Sequence, residues 1–270
     1  MIELGELLGQ YRGGQSFESV NSWNNATNQC SFSVQATNVH SSANSALIEV
    51  YSYGNGTLSY NYDQTDDIVT RWSPDVTTHR IVAYGWARIN TAGNSGDITA
   101  VFTDATYPIP FDAALQRFRL ETNITSDDSL KLDFSIETLS TGSYAFYADD
   151  ILTAVDVIDL NISRDTEDDR TLRQTHHATI SGRETFYSWG EHGKWQIPIE
   201  LITEQEARFI NLWWRDNRPL MFTMDTSDTA NMYVVHLINR AYPFARMNEP
   251  YYDLFHGVLE LETLHDSLDF

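Results

Sequence analysis

Alternation of apolar and polar residues with a period of two constrains the fold of this chain more than any other sequence feature. In residues 130–137, LKLDFSIE, four apolar side chains alternate strictly with polar or charged ones. Successive side chains of a β-strand point to opposite faces, so this segment is predicted to be a strand with one buried and one solvent-exposed face. Shorter alternation of the same kind surrounds Phe32, Tyr60 and Phe118.

Residues 81–89, IVAYGWARI, form a second kind of strand pattern, because neither face is mainly polar. Segments rich in Gly, Asn, Asp and Ser separate the predicted strands, at residues 54–56, 92–96, 126–128 and 141–143. Such residues favour turns, and no convincing amphipathic helix lies between them. We therefore predict a mainly β chain in which residues 11–160 fold as a β-sandwich of jelly-roll type.

The remaining part of the chain has a different pattern. Residues 164–174, RDTEDDRTLRQ, are charged and poor in apolar side chains, which predicts an interdomain linker over 161–175. Residues 176–270 are predicted to form a small α+β domain, with one helix on a sheet. Its expected elements are a long hairpin over 180–202 that turns at 189–193, a helix, and strands at 220–224, 233–238 and 255–264.

The predicted helix covers residues 204–216. The segment TEQE at 203–206 has the form of a capping box, and Pro219 prevents the helix from continuing. Adjacent helical residues are about 100° apart, so Trp213 and Trp214 cannot both point at one core. We expect one ring to pack on the sheet and the other to lie nearer the surface, where it meets a neighbouring subunit.

Composition and motifs narrow the classes of function. The chain has 38 acidic and 17 basic residues and a formal net charge of −21, which argues against nucleic-acid binding by a broad basic surface. No apolar run approaches the roughly 18 residues of a membrane-spanning helix. A single cysteine, Cys30, excludes a disulfide within the chain and a cysteine-based zinc site.

No catalytic motif stands out, so the chain is predicted not to be an enzyme. The eight histidines include no HExxH spacing, and the sequence FYSWG around Ser188 lacks the first glycine of a nucleophile elbow. The two carboxylates of a glycoside hydrolase are neighbours in space rather than in sequence, and the sequence does not test for them.

Residues 11–160 resemble carbohydrate-binding modules of the β-jelly-roll type. The similarity lies in the order of four segments, SFES at 16–19, SALIEV at 45–50, AYGWAR at 83–88 and YAFYADDI at 144–151. The resemblance implies that Glu18 and Asp149 or Asp150 help to hold a structural Ca²⁺, an ion that prefers hard oxygen ligands. The alternative is that Glu18 caps a turn and that the two aspartates are solvated.

The same resemblance implies a carbohydrate-binding platform. Flat rings stack on sugars, and polar side chains beside them bind hydroxyl groups. The candidate platform residues are Tyr60, Tyr62, Trp72, Tyr84, Trp86 and Arg88. The alternative is that these alternating aromatic rings fill the interior of the sandwich.

Residues 176–264 resemble the tail-tube-like domains of bacteriophage minor tail and distal tail proteins. The segments behind this are TISGRE at 179–184, WWRDNRPLMFT at 213–223 and YDLFHGVLELE at 252–262. In distal tail proteins the tube-like domain usually precedes an accessory sugar-binding-like module, whereas the order here is reversed. The resemblance implies a ring-forming subunit whose sheet edges pair with the next copy.

Together these features predict a structural virion protein of a phage tail or baseplate, located in the virion. It would display its jelly roll for attachment to a host-surface glycan, and its partners would be other tail subunits in a homo-oligomeric ring. Residues 1–10 are predicted to be an apolar docking segment without the pattern of a signal peptide, which favours a virion protein. The alternatives are a secreted polysaccharide-binding or polysaccharide-degrading protein, and a capsid decoration or fibre-base protein.

Overall fold

The computed structural model describes fifteen stretches of the chain. They are residues 2–7, 23–25, 30–36, 45–50, 55–61, 78–89, 95–100, 105–108, 115–124, 131–137, 144–160, 167–178, 184–223, 232–247 and 253–263. These residues are mostly β-strand, with a single helix among them. The chain divides into two compact units, one formed by Leu7–Val157 and the other by Met1–Glu6 with Ile158–Phe270. The predicted mainly β fold is confirmed.

The described elements follow one another along the chain in this order: β1 (Ile2–Leu7), β2 (Trp23–Asn25), β3 (Cys30–Gln35), β4 (Ser45–Val50), β5 (Asn55–Asn61), β6 (His79–Ile89), β7 (Ser95–Ala100), β8 (Ala105–Pro108), β9 (Gln116–Ile124), β10 (Lys131–Glu137), β11 (Tyr144–Leu160), β12 (Glu167–Ala178), β13 (Glu184–Thr203), α1 (Glu204–Asp216), β14 (Leu220–Thr223), β15 (Met232–Leu237), β16 (Phe244–Arg246) and β17 (Leu254–Thr263).

The unit Leu7–Val157 contains two antiparallel sheets, each of five strands among the described residues. One has the order β3-β4-β11-β6-β9 and the other β2-β5-β10-β7-β8. The alternating segment at 130–137 becomes β10, which pairs with β5 on one side and β7 on the other. This arrangement is the predicted sandwich of short strands.

The central strand β6 explains why residues 81–89 lack a polar face. It lies between β11 and β9, and the side chains of Ile81, Ala83 and Ala87 on one face are all buried. Gly85 is on the same face, where an added Cβ would lie 2.7 Å from the ring of Phe118. Only a glycine therefore lets that ring close over the strand.

The other unit is the predicted α+β structure, with α1 against β13, β15 and β17. The antiparallel order of its strands is β12-β13-β17-β15-β14-β1, and β16 also pairs with β17. Aromatic rings pack together in this unit: the buried Trp195 lies 5.2 Å from the buried Phe222 and 4.7 Å from the half-buried Tyr233, measured between ring centroids.

Helix α1 begins and ends as the sequence predicts. The Thr203 hydroxyl accepts a hydrogen bond from the Glu206 N–H at 3.3 Å, and the Glu206 carboxylate accepts from the Thr203 N–H at 2.7 Å. The helix ends at Asn217, which adopts the left-handed conformation at φ 50°. Trp213 is completely buried, whereas the half-buried Trp214 donates to the Asn239 carbonyl at 2.8 Å. Across the described residues, no helix has the length and apolar character needed to cross a membrane.

Two boundaries predicted from the sequence are wrong. Residues 167–175 are not a linker, because they belong to β12 and pair with β13. Residues 189–193 lie within β13 rather than at a turn, because β13 runs from Glu184 to Thr203. The strand β12 pairs with β13 alone among the described strands, and an edge strand tolerates a charged composition that resembles a linker. Residues 161–166 lie outside the described part.

The segment predicted to dock, residues 1–10, contributes β1 to its own chain. This strand pairs with β14 in the register Glu3↔Thr223 to Glu6↔Leu220. Leu4 is fully buried there, and the Glu6 carboxylate accepts from Arg218 at 2.8 Å.

Candidate functional site

One face of the first sheet brings together arginine and aromatic side chains from β6, β9 and β11. Residues that oppose each other in antiparallel strands project to the same face of the sheet. The register places Tyr84 opposite Arg119, Trp86 opposite Arg117, and Arg88 opposite Tyr147. We call these six residues the arginine–aromatic face.

The guanidinium groups of this face lie over tyrosine rings. The Arg117 Cζ is 4.7 Å and the Arg119 Cζ 5.7 Å from the centroid of Tyr84, and the Arg88 Cζ is 4.9 Å from the centroid of Tyr147. The Arg119 Nε also donates to the Tyr84 hydroxyl at 3.0 Å. Cation–π contacts at these distances are attractive and restrain the guanidinium groups.

A carboxylate at the margin of the face binds Arg119 of the face and the neighbouring Arg80. Glu121 accepts from the Arg80 Nε at 2.7 Å, and its other oxygen lies 2.7 Å from the Arg119 Nη1. Burial opposes ionisation of Glu121, but hydrogen bonds from Arg80 and Arg119 and their positive charges outweigh it and lower the pKa of Glu121 below its usual range. The carboxylate therefore stays ionised and fixes the orientation of Arg119.

The structure brings half of the predicted platform together. Tyr84, Trp86 and Arg88 share the arginine–aromatic face, with Tyr84 fully buried and the other two half-buried. Tyr60 belongs to β5 of the other sheet, where its backbone pairs with Trp23 and Leu132. The side chain of Tyr60, and the whole of Tyr62 and Trp72, lie outside the described part.

Sequence reasoning did not assign Arg117, Arg119 or Tyr147 to the site. The available signal was the pair of arginines on the polar face of the strand pattern RFRLE at 117–121. Charged residues at that spacing are equally typical of a solvated strand face. Only the register between β9, β6 and β11 shows that they meet aromatic rings.

The predicted calcium ligands are only partly described. Asp149 is fully buried in β11, next to a register shift between Asp149 and Leu152. Glu18 and the side chain of Asp150 lie outside the described residues. Within the described stretches, no three His, Cys, Asp or Glu side chains form a group that could hold a metal ion. The calcium site stays a prediction.

A second polar feature of this unit is a buried pair, His79 and Asp156. The His79 Nδ1 and the Asp156 Oδ1 are 2.8 Å apart, and each side chain is only 1% exposed. Burial raises the pKa of Asp156 above its usual range, although the hydrogen bond and charge of His79 act in the opposite direction. Asp156 also adopts the left-handed conformation, with φ 54°.

No protein-family model and no curated protein matches the chain. Among solved structures, a xylan-binding domain (CBM22-1) from Paenibacillus barcinonensis aligns at 11% identity and a TM-score of 0.37, over 56% of this chain and 95% of that one. The CBM22-1 and GH10 modules of a Clostridium thermocellum endo-1,4-β-D-xylanase align at 12% identity and a TM-score of 0.34, over 52% of this chain and 27% of that one. The enzymatically active domain of tailspike protein 4 of bacteriophage CBA120 aligns at 13% identity and a TM-score of 0.38, over 55% of this chain and 21% of that one. This chain thus spans about a quarter of the xylanase chain, and similarities this weak carry no argument.

The chemistry of the face follows from its own geometry. A guanidinium group has several N–H donors in one plane, and three such groups lie 4.7 to 5.7 Å from tyrosine ring centroids on this face. Trp86 adds a half-buried indole between Arg117 and Asp149 in the strand register. A surface of this composition can bind a polar ligand that presents oxygen acceptors and an apolar face.

Proposed function

We propose that this chain binds a glycan through the arginine–aromatic face and is a non-enzymatic structural protein of a phage tail or baseplate. The glycan-binding part of this proposal is supported by one observation. Arginine guanidinium groups lie beside aromatic side chains on the three adjacent strands β6, β9 and β11. Sugars present many hydroxyl groups and apolar C–H faces, which planar polar side chains and aromatic rings recognise together.

The virion part of the proposal draws on the other unit. Its helix α1 ends at Asn217, and the chain enters β14 immediately after Pro219. This helix-to-strand transition is the part of the pattern at 213–223 on which the resemblance to tail-tube-like domains rests. In this proposal the unit joins other tail subunits in a homo-oligomeric ring, and the jelly roll attaches the virion to a host-surface glycan.

A glycan array tests the binding site. The full-length chain is applied beside the variant Trp86→Ala and the control Arg215→Gln, which changes an exposed residue on α1 in the other unit. We expect Trp86→Ala to weaken binding about tenfold or more, since loss of an aromatic hot-spot residue costs about 2 kcal/mol or more and about 1.4 kcal/mol is tenfold in affinity. Arg215→Gln should leave binding unchanged. Absence of binding to every glycan, or equal binding by Trp86→Ala, would refute the proposed site.

The assembly state tests the virion role separately. Sedimentation and electron microscopy of the purified chain should show closed rings that form through the unit containing α1. A stable monomer that also hydrolyses a polysaccharide would overturn the virion role and support the alternative of a secreted glycan-active protein.

A further inference from the structure

The buried pair of His79 and Asp156 lies at a distortion of β11. Val155 opposes Ile81 in the register with β6, so it projects to the same face as Ile81 and as His79, two residues earlier in β6. In a regular strand the next residue, Asp156, would project to the opposite face. Its left-handed backbone, with φ 54°, interrupts the alternation, and the Asp156 Oδ1 lies 2.8 Å from the His79 Nδ1.

The contact with His79 restrains this unusual backbone. A positive φ is unfavourable for residues other than glycine, although aspartate is among the few that adopt it. Such a conformation persists where the surrounding structure maintains it, and it is common near functional sites. Both side chains of the pair are only 1% exposed, so neither can exchange its partner for bulk water. The remaining polar atoms, His79 Nε2 and Asp156 Oδ2, have no hydrogen-bond partner among the described residues, so the side chains are held by each other.

The residue after Asp156 connects the distortion to Arg80. The Arg80 Nη1 donates a hydrogen bond to the Val157 carbonyl at 3.3 Å. Because the backbone at Asp156 changes the direction of the strand, the position of this carbonyl depends on that conformation. The Arg80 Nε also donates to the Glu121 carboxylate at 2.7 Å, so one guanidinium joins β11 to β9.

Glu121 continues this series of contacts into the arginine–aromatic face. Its other oxygen lies 2.7 Å from the Arg119 Nη1. The Arg119 Nε in turn donates to the Tyr84 hydroxyl at 3.0 Å. Every step from the buried pair to Tyr84 is therefore a hydrogen bond or an ion pair within the unit Leu7–Val157.

We propose that His79 and Asp156 are positioning residues for the arginine–aromatic face. Their contact holds the Val157 carbonyl where Arg80 binds it. The bound Arg80 then keeps the carboxylate at the margin of the face in its orientation. This inference rests on the proposed glycan-binding function, to which it adds two buried residues. Contacts in series do not by themselves establish coupling between their ends, so the experiment measures the far end directly.

Nuclear magnetic resonance of arginine side chains in the full-length chain tests the coupling without a ligand. The Nε–H groups of Arg80 and Arg119 donate to Glu121 and to the Tyr84 hydroxyl, which slows their exchange with water. Asp156→Ala removes the carboxylate and places a residue that tolerates positive φ poorly at this position. We expect both Nε–H groups to exchange at least about tenfold faster in this variant, as loss of an ordered hydrogen bond to a charged group would give.

A conservative variant and a matched control separate positioning from general loss of stability. Asp156→Asn keeps an oxygen acceptor for His79 and tolerates the left-handed conformation, so slow exchange should be retained. Ile151→Val is the control, because Ile151 is also buried in β11 but takes no part in this series of contacts. It should lower the melting temperature and leave arginine exchange unchanged. Unchanged exchange at Arg119 in Asp156→Ala, or equal acceleration by Ile151→Val, would overturn the inference.

A second variant applies if Asp156→Ala does not fold, as judged by circular dichroism. Asp156→Gly accepts the left-handed backbone without strain but has no carboxylate to hold it there. The same acceleration of Arg80 and Arg119 exchange is expected, and slow exchange in the folded glycine variant would overturn the inference.

The glycan array distinguishes failure of this inference from failure of the proposed function. Asp156→Ala should weaken binding to the glycans that the unaltered chain binds by about threefold or more, whereas Asp156→Asn should not. If Trp86→Ala loses binding but Asp156→Ala binds as the unaltered chain does, the positioning role is wrong and the proposed function stands. If no glycan binds, the proposed function is wrong, whereas faster arginine exchange in Asp156→Ala would still support coupling of the pair to the face.

Discussion

Replacing the two adjacent tryptophans of α1 should have unequal effects on stability. Trp213 is fully buried and stacks on Phe209 with ring centroids 6.2 Å apart, whereas Trp214 is half-buried and hydrogen-bonds to the Asn239 carbonyl. Trp213→Ala removes a large buried side chain and should lower the free energy of unfolding by about 3–5 kcal/mol. That is a large part of the roughly 5–15 kcal/mol that stabilises a typical protein.

Two phenylalanine variants separate the ring from its N–H group. The Trp213 Nε1 is buried and has no hydrogen-bond partner among the described residues. Trp213→Phe keeps most of the packing and removes the buried N–H donor that has no acceptor in the described part of the chain. It should therefore lower the free energy of unfolding clearly less than Trp213→Ala does. Trp214→Phe removes the bond to Asn239 and should cost about 0.5–1.5 kcal/mol.

Urea unfolding followed by far-ultraviolet circular dichroism and tryptophan fluorescence measures these differences. The two units are expected to give separable transitions, and only the transition of the unit with α1 should move. Equal destabilisation by Trp213→Ala and Trp214→Ala would refute the reasoning, because it would show that both rings contribute equally to one core.

Three further predictions concern charged groups. Arg218→Met should lower stability by about 3 kcal/mol, because it removes the cation 2.8 Å from the buried carboxylate of Glu6; a change below about 1 kcal/mol in urea unfolding would contradict this. Since the pKa of Asp156 is raised in the folded state, the free energy of unfolding should fall as the pH rises from about 3.8 through that raised pKa. Asp156→Asn should remove this contribution to the pH dependence of stability. Parallel plots of melting temperature against pH for the two proteins would contradict this prediction. If Glu18 helps to hold Ca²⁺, a chelator should lower the melting temperature of the unit Leu7–Val157, and Glu18→Gln should abolish the effect of the chelator; an unchanged melting curve would remove the calcium site.

Helix α1 could be predicted because the signals that define it are local. The Thr203 and Glu206 side chains cap the first turn, and Pro219 follows the last, so the sequence of one short segment contains both ends. The strands β14, β15 and β17 were also predicted to within two residues, since each is an apolar run between polar segments.

The linker and the hairpin were mispredicted because their structure depends on strand pairing, which composition does not show. The charged strand β12 pairs with β13, and the turn-like sequence at 189–193 continues as a strand beside that partner. Composition alone does not distinguish an edge strand of this kind from an exposed connection.

The candidate site was predicted only in part, because it also depends on which strands pair and in which register. The pattern at 83–88 placed Tyr84, Trp86 and Arg88 on one strand face, which needs only the period of two. The partners Arg117 and Tyr147 come from strands that are distant in sequence, and their positions over or under the rings depend on the register of β9 and β11.

Hydrogen–deuterium exchange with and without a bound glycan tests the central claim most directly. The full-length chain is compared alone and in the presence of the tightest-binding glycan of the array, with peptides that cover both units. The account predicts that added protection is concentrated in β6, β9 and the part of β11 around Tyr147. Protection confined to α1, β15 and β17, or absent from β6 while the glycan is bound, would contradict it.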